Sequence, residues 1–350
     1  MKKILSIAAS LAALSLLALS CSPSQNDEPV SPVSYYVLNN GSWGQNNAGI
    51  GLYSTESETC TEDAFSKVNS KALGDLGQDM IEFRDHYYIA VNGSQIIYVT
   101  DRNLNIVAEV RASLDDGDTY LSPRYFTCDE YYVYVTYYEG YLGRINPDTY
   151  DVRTTEVGPN PEGLAYCNGE IFVANSGGYL YPTYNNTISV VNTGSMKEVG
   201  TITVNTNPCV VKCSGSTVFV FSYGDYGSIP SKVQYFKTDD LSNVQTLDYD
   251  SPSAIDVCDG TLYVMCGGYD SNWNPLPGTI YSYDISAGRK TGTVASDITD
   301  AYSLSVTDEY VWAGASDYVT NGDMYCFDRQ TGELVSKFDT KGLNPIKVVE

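Results

Sequence analysis

The sequence predicts an all-β protein, a seven-bladed β-propeller closed by its C-terminal strand, and three observations carry this expectation. One unit of about 45 residues recurs to the end of the chain, the sign of a repeat architecture. Its apolar runs are short, aromatic and β-branched, as in Leu262-Tyr263-Val264-Met265 and Tyr132-Val133-Tyr134-Val135. They end at turn signals too soon for a helix. The last segment, Asn344-Pro345-Ile346-Lys347-Val348-Val349, has the pattern of a first strand whose own blade lies at the start of the ring.

Taken in order, the chain opens on Lys2 and Lys3, an uncharged stretch Ile4 to Leu19, then Ser20 and Cys21. A basic tip before a short apolar run and a small residue is the layout of a secretory signal, here residues 1–20. Residues 21–33 are rich in Ser, Pro, Asn and acid and read as a flexible tether. Residues 34–350 form the propeller. Aligned on the second strand of each unit, Tyr36, Tyr88, Tyr132, Ile171, Val218, Leu262 and Tyr310 fall into register, which gives seven copies. The turn ahead of that strand is a hairpin signal in Asn168-Gly169, Ser214-Gly215 and Asp259-Gly260. A second turn recurs before the fourth strand, as in Asn146-Pro147-Asp148-Thr149 and Asp328-Arg329-Gln330-Thr331-Gly332. Four antiparallel strands per unit follow, and a ring of such units covers nearly every sheet edge.

The segment Leu17-Ala18-Leu19-Ser20-Cys21 resembles a bacterial lipobox, with Ala18 where the lipobox carries Leu. The resemblance implies lipidation at Cys21 and a membrane attachment through the lipid alone. Asp27-Glu28 resembles the acidic signals that send Bacteroidetes lipoproteins to the cell surface at the outer membrane. The blades, with Phe172-Val173-Ala174-Asn175, Thr187-Ile188-Ser189-Val190-Val191 and Val199-Gly200-Thr201-Ile202-Thr203-Val204, resemble the YVTN or YncE-like seven-bladed propellers. The opening Val37-Leu38-Asn39-Asn40-Gly41-Ser42 with Asn46-Asn47-Ala48-Gly49 resembles a narrower group of surface lipoproteins. Some of that group, the BtuG type, capture cobalamin for a TonB-dependent transporter. The resemblance therefore implies a corrinoid ligand and such a transporter as partner.

The residues themselves exclude more than they name. Forty-three acidic residues stand against 20 basic ones, and the net charge of −23 falls to about −25 once Lys2 and Lys3 leave with the signal. Nucleic acid and anionic headgroups are poor partners for such a surface. Nine cysteines in an exported chain invite disulfides. Cys128, Cys167, Cys213 and Cys258 occupy one register in separate units, so they are expected to lie too far apart to pair and to serve as small core residues. The single histidine, His86 in Arg84-Asp85-His86-Tyr87, reads as an exposed turn residue. That removes a histidine metal cluster and a Ser-His-Asp triad. Asp115, Asp116 and Asp118 form a solvated acidic loop without the closing glutamate of a calcium loop. No cofactor, metal or catalytic residue is expected.

Tyrosine stands out, with 31 copies. Many fall in the loops that join second to third strands, which share one face of a propeller with the connections between blades. These loops supply the candidate ligand-binding residues Trp43, Asn46, Tyr137, Tyr138, Asn175, Tyr179, Tyr181, Tyr184, Tyr223, Tyr226, Tyr269, Asp270, Trp273, Tyr318 and Asn321. Aromatic faces with amide and carboxylate groups between them can stack on a flat or sugar-like ligand and hydrogen-bond its edge. The expected function is capture of a ligand at the cell surface without catalysis. A propeller that docks a transporter or a surface complex, a glycan-binding protein and a carboxylate-only hydrolase are the alternatives.

Overall fold

A computed structural model describes residues 34–114, 117–269 and 274–350, with Tyr269 described in its backbone only. Seven antiparallel sheets of four strands form the blades. The innermost strands, in ring order, are Pro345–Val349 of blade 1, Gly77–Phe83, Pro123–Cys128, Pro161–Cys167, Pro208–Ser214, Pro252–Cys258 and Ala301–Val306. In blades 2, 4, 5 and 6 the first to second strand connections are two-residue turns, with Cys167 paired to Glu170 and Cys258 to Thr261. Asn168-Gly169 and Asp259-Gly260 supply the positive φ angles that such a turn requires. Arg84-Asp85 does the same in blade 2, so His86 is the first residue of the strand His86–Val91 and is half-buried. Its Nδ1 lies 2.9 Å from the Arg84 carbonyl oxygen. One helix of six residues, Ala64–Asn69, leads from blade 1 to blade 2 and buries Phe65.

The ring closes through the chain's two ends. Val37 pairs with Val348 and Leu38 with Lys347, so the C-terminal strand completes blade 1 beside Ser34–Asn39. The hydrophobic core is divided in the same way as the sheets. Seven apolar clusters each fill the wedge between two adjacent blades, and together they visit every interface. The wedge between blades 7 and 1 is rich in aromatic rings. There Tyr53 stacks on Phe338 at 4.0 Å, and Trp312 lies 4.9 Å from Tyr35.

The cysteines depart from expectation at one place. Cys167 and Cys213, equivalent residues of neighbouring blades, form a disulfide with their Cα atoms 6.0 Å apart. Both end innermost strands, where the radius of the ring is smallest and adjacent blades come closest. Repeat-equivalent positions can therefore meet there, although they diverge further out. Cys128 and Cys258 remain unpaired, with Cys60, Cys209, Cys266 and Cys326. Cys21, Asp115 and Asp116 lie outside the described residues. Among the described residues no helix is long and apolar enough to cross a membrane.

Candidate functional site

All seven innermost strands begin with the same irregularity, a slip of register against the second strand. Five of them open on proline, at Pro123, Pro161, Pro208, Pro252 and Pro345. Asn160, Asn207, Ser251 and Asn344 precede four of these prolines with a positive φ. A bulge re-aims the side chain it carries, and here it turns the second residue of each innermost strand toward the ring axis. Gln78, Arg124, Glu162, Cys209, Ser253, Tyr302 and Ile346 result, one from each blade. They line a central cavity of about 450 Å³ together with Asp79, Tyr125, Lys212, Tyr223, Ile255 and Lys347.

The floor and walls of this cavity are charged. Arg124 donates from Nε and Nη2 to the same Glu162 oxygen, Oε2, at 2.8 and 2.5 Å, and from Nη1 to Gln78 Oε1 at 2.7 Å. Its guanidinium also lies 4.9 Å from the Tyr138 ring and 5.6 Å from Tyr125. Burial pushes the Glu162 carboxyl above its ordinary range against the pull of Arg124. Lys212 pairs with Asp256 at 2.8 Å. Burial works to raise the Asp256 carboxyl, yet Lys212 and Lys347 outweigh it and hold the group low. Asp79 accepts the Phe126 amide at 2.9 Å, and its burial wins over Lys347, raising its carboxyl.

From the cavity three aromatic spokes run outward. In the first, Tyr223 stacks on Tyr226 at 5.7 Å, Tyr226 meets Tyr184 edge-on at 6.0 Å, and Tyr184 meets Tyr181 at 5.9 Å. In the second, Tyr138 above Arg124 meets Tyr179 at 4.7 Å. In the third, Tyr302 meets Tyr318 at 5.4 Å. Tyr226 and Tyr318 both hold positive φ, which bulky side chains rarely adopt. Asp225 fastens the Tyr226 loop by accepting the amides of Gly227 and Ile229 at 2.8 and 2.7 Å. Asp317 fastens the Tyr318 loop through the amides of Val319 and Thr320.

The structure thus gathers seven of the sequence-derived candidates, Tyr138, Tyr179, Tyr181, Tyr184, Tyr223, Tyr226 and Tyr318. Trp43, 71 % exposed, and Asn46 stand in the second-to-third-strand loop of blade 1, outside the three spokes. Asn321 is exposed and hydrogen-bonds Asp339. Two candidates are corrected. Tyr137 is 1 % exposed and packs in the wedge between blades 2 and 3, because it ends the strand Val133–Tyr137 and points opposite to Tyr138. Asn175 is wholly buried and donates to Thr187 and Ser189 within its own blade, so it serves the sheet. The Tyr269 side chain, Asp270 and Trp273 lie outside the described residues.

Residues 34–344 match the DUF5074 family, a domain of unknown function. The chain belongs to that family. No curated protein matches it. Among solved structures, this DUF5074 chain is similar to the Kuenenia stuttgartiensis hydrazine synthase, with 16 % identity over 70 % of this chain and 73 % of that one and a TM-score of 0.54. It is also similar to the computationally designed Ika8 protein, at 11 % identity over 89 % and 90 % with a TM-score of 0.56. The Neurospora crassa Pan2 WD40 domain shares 10 % identity over 75 % and 78 % with a TM-score of 0.56. At such identities these likenesses establish the propeller fold alone. A DUF5074 propeller of this kind could mediate the binding of a ligand or another protein. Its second-to-third-strand loops and cavity mouth are where the aromatic groups converge.

Proposed function

We propose that this protein is a surface lipoprotein that captures a ligand on its tyrosine-rimmed face, with a corrinoid as the first ligand, and catalyses nothing. The observation that carries the reading is the spoke Tyr223-Tyr226-Tyr184-Tyr181, four rings in sequence from the cavity wall to the outer rim. Adjacent rings at these separations offer both faces and edges to a flat ligand, and phenol hydroxyls reach its polar periphery. The cavity below, about 450 Å³, is within the ~300–1,000 Å³ of small-molecule sites. A corrin ring stacked on the spokes would lie at the rim, with the cavity open to a pendant group. Delivery to a TonB-dependent outer-membrane transporter completes the proposal, on the resemblance to the BtuG type.

Calorimetric titration of the protein with cyanocobalamin tests the ligand. Saturable binding supports it, and absence of heat over the accessible concentration range opposes it. Lipid anchoring through Cys21 is tested separately: Cys21→Ala should release the protein from membranes or leave its signal uncleaved. A variant that stays membrane-bound and normally processed would place the anchor elsewhere. A second reading is favoured by the exposure of Tyr179 and Tyr181 in the blade 4 loop, at 79 % and 72 %, and of Val319 in the blade 7 loop, at 80 %. So much apolar surface on one rim also suits a protein partner. Co-purification of a transporter without corrinoid binding would select that reading.

A further inference from the structure

We propose that the central channel is a second ligand site, distinct from the rim, and that it takes a small zwitterion whose amino and carboxylate groups are separated along the molecule. The inference starts from charge. Only 20 basic residues occur in a chain of net charge −23, yet Arg124, Lys212 and Lys347 all line this one cavity. Asp79 and Glu162 line it too, so the cavity carries charges of both signs. Buried charges are costly unless paired and hydrogen-bonded. Two of these groups have bonding capacity that the protein leaves unused.

The first is the Glu162 carboxylate. Arg124 occupies Oε2 twice, and Oε1 has no hydrogen-bond partner among the described residues, although the side chain is only 9 % exposed. The second is Lys347, whose ammonium forms neither an ion pair nor a hydrogen bond with any described residue, while the ammonium of Lys212 spends itself on Asp256. Glu162 stands on the innermost strand of blade 4 and Lys347 on that of blade 1, three blades apart around the axis. An acceptor and a donor without hydrogen-bond partners among the described residues therefore line the same channel from blades 4 and 1. The residues that line its upper part include Tyr125, Tyr223 and Tyr302, which add phenol hydroxyls.

Charge then selects the ligand. A simple anion would gain Lys347 but meet Asp79, and the acidic surface would oppose its entry. A simple cation would gain Glu162 Oε1 but meet Arg124 and Lys212. A zwitterion is neutral overall, feels no net field on entry, and satisfies both ends. The channel site does not rest on the rim reading, since its charged anchors Glu162 and Lys347 lie outside the aromatic spokes and its ligand class is different.

The test titrates the full protein with glycine, β-alanine, γ-aminobutyrate and 6-aminohexanoate, a series of growing charge separation, and with butylamine and butyrate as singly charged controls. At least one zwitterion should bind tenfold or more tightly than either control. Lys347→Met and Glu162→Gln should each weaken it at least tenfold while His86→Ala, on the opposite face, leaves it unchanged. Glu162→Gln keeps an oxygen for Arg124; if either variant nevertheless fails to fold, the preference of the full protein for a zwitterion over butylamine and butyrate decides. Binding by no member of the series, equal binding of butylamine or butyrate, or zwitterion binding undiminished in folded Lys347→Met would overturn the proposal.

Discussion

Tyr137 and Tyr138 are neighbours in sequence and opposites in role. Successive side chains of a strand point to opposite faces, so one residue of register separates a ring sealed between blades from a ring above Arg124. Asn175 follows the same logic. Its amide ties two hydroxyls of the next strand, and Gly158 packs so closely against it that a Cβ there would come within 2.4 Å. Replacing Asn175 with Ala should cost ~1–3 kcal/mol of stability, the usual effect of breaking buried hydrogen bonds. Denaturant midpoints measure this, and an unchanged midpoint would mean that the amide is not structural. The aromatic rim was legible in the sequence because tyrosines had gathered in loops between second and third strands. The charged channel was missed. Its signal lay in the residue after each opening proline, in Pro123-Arg124, Pro161-Glu162 and Pro208-Cys209, but a bulge is needed to turn that residue inward. Alternation alone does not reveal a bulge.

At the scale of strands and turns, most of the architecture could be read directly. Paired turn residues such as Asn168-Gly169 mark where strands reverse, and the spacing between them fixes four strands per unit. The C-terminal strand could be placed because Asn344-Pro345 repeats the opening of Asn207-Pro208. What the pattern could not convey was radius: it treats equivalent positions as equally distant, whereas Cys167 and Cys213 lie near the axis and pair. The closing strand supplies Val348 to the wedge between blades 7 and 1, and its pairing spans Tyr36 to Asn39. Removing the last eight residues should therefore lower the melting temperature sharply, by exposing that wedge and an open sheet edge. A truncated chain that melts with the full one would show that closure contributes nothing.

For the molecule as a whole, tyrosine governs response to alkali as well as recognition. Burial pushes the phenols of Tyr87, Tyr88 and Tyr138 up to about 12, and those of Tyr35, Tyr125, Tyr134 and Tyr223 higher still, from an ordinary value of 10.0. Above pH 10 the unfolded chain gives up these protons while the folded ring keeps them, so the unfolded state is favoured. Stability is thus fully present below pH 10 and is lost as pH rises toward 12. Thermal melts between pH 8 and 12 should show the midpoint falling steeply beyond 10, and a level midpoint across that range would contradict the buried tyrosine network. The same residue type carries the proposed function, and there one comparison is the most direct. Cyanocobalamin affinity should be measured by calorimetry for the wild-type protein and for Tyr226→Ala, with folding of both checked by circular dichroism. Tyr226 is central in the longest spoke, and an aromatic anchor contributes ~2 kcal/mol, or roughly thirtyfold in affinity. A loss of that size in a folded variant is the predicted result; equal affinity of the two proteins, or no binding by either, would contradict ligand capture at the tyrosine rim.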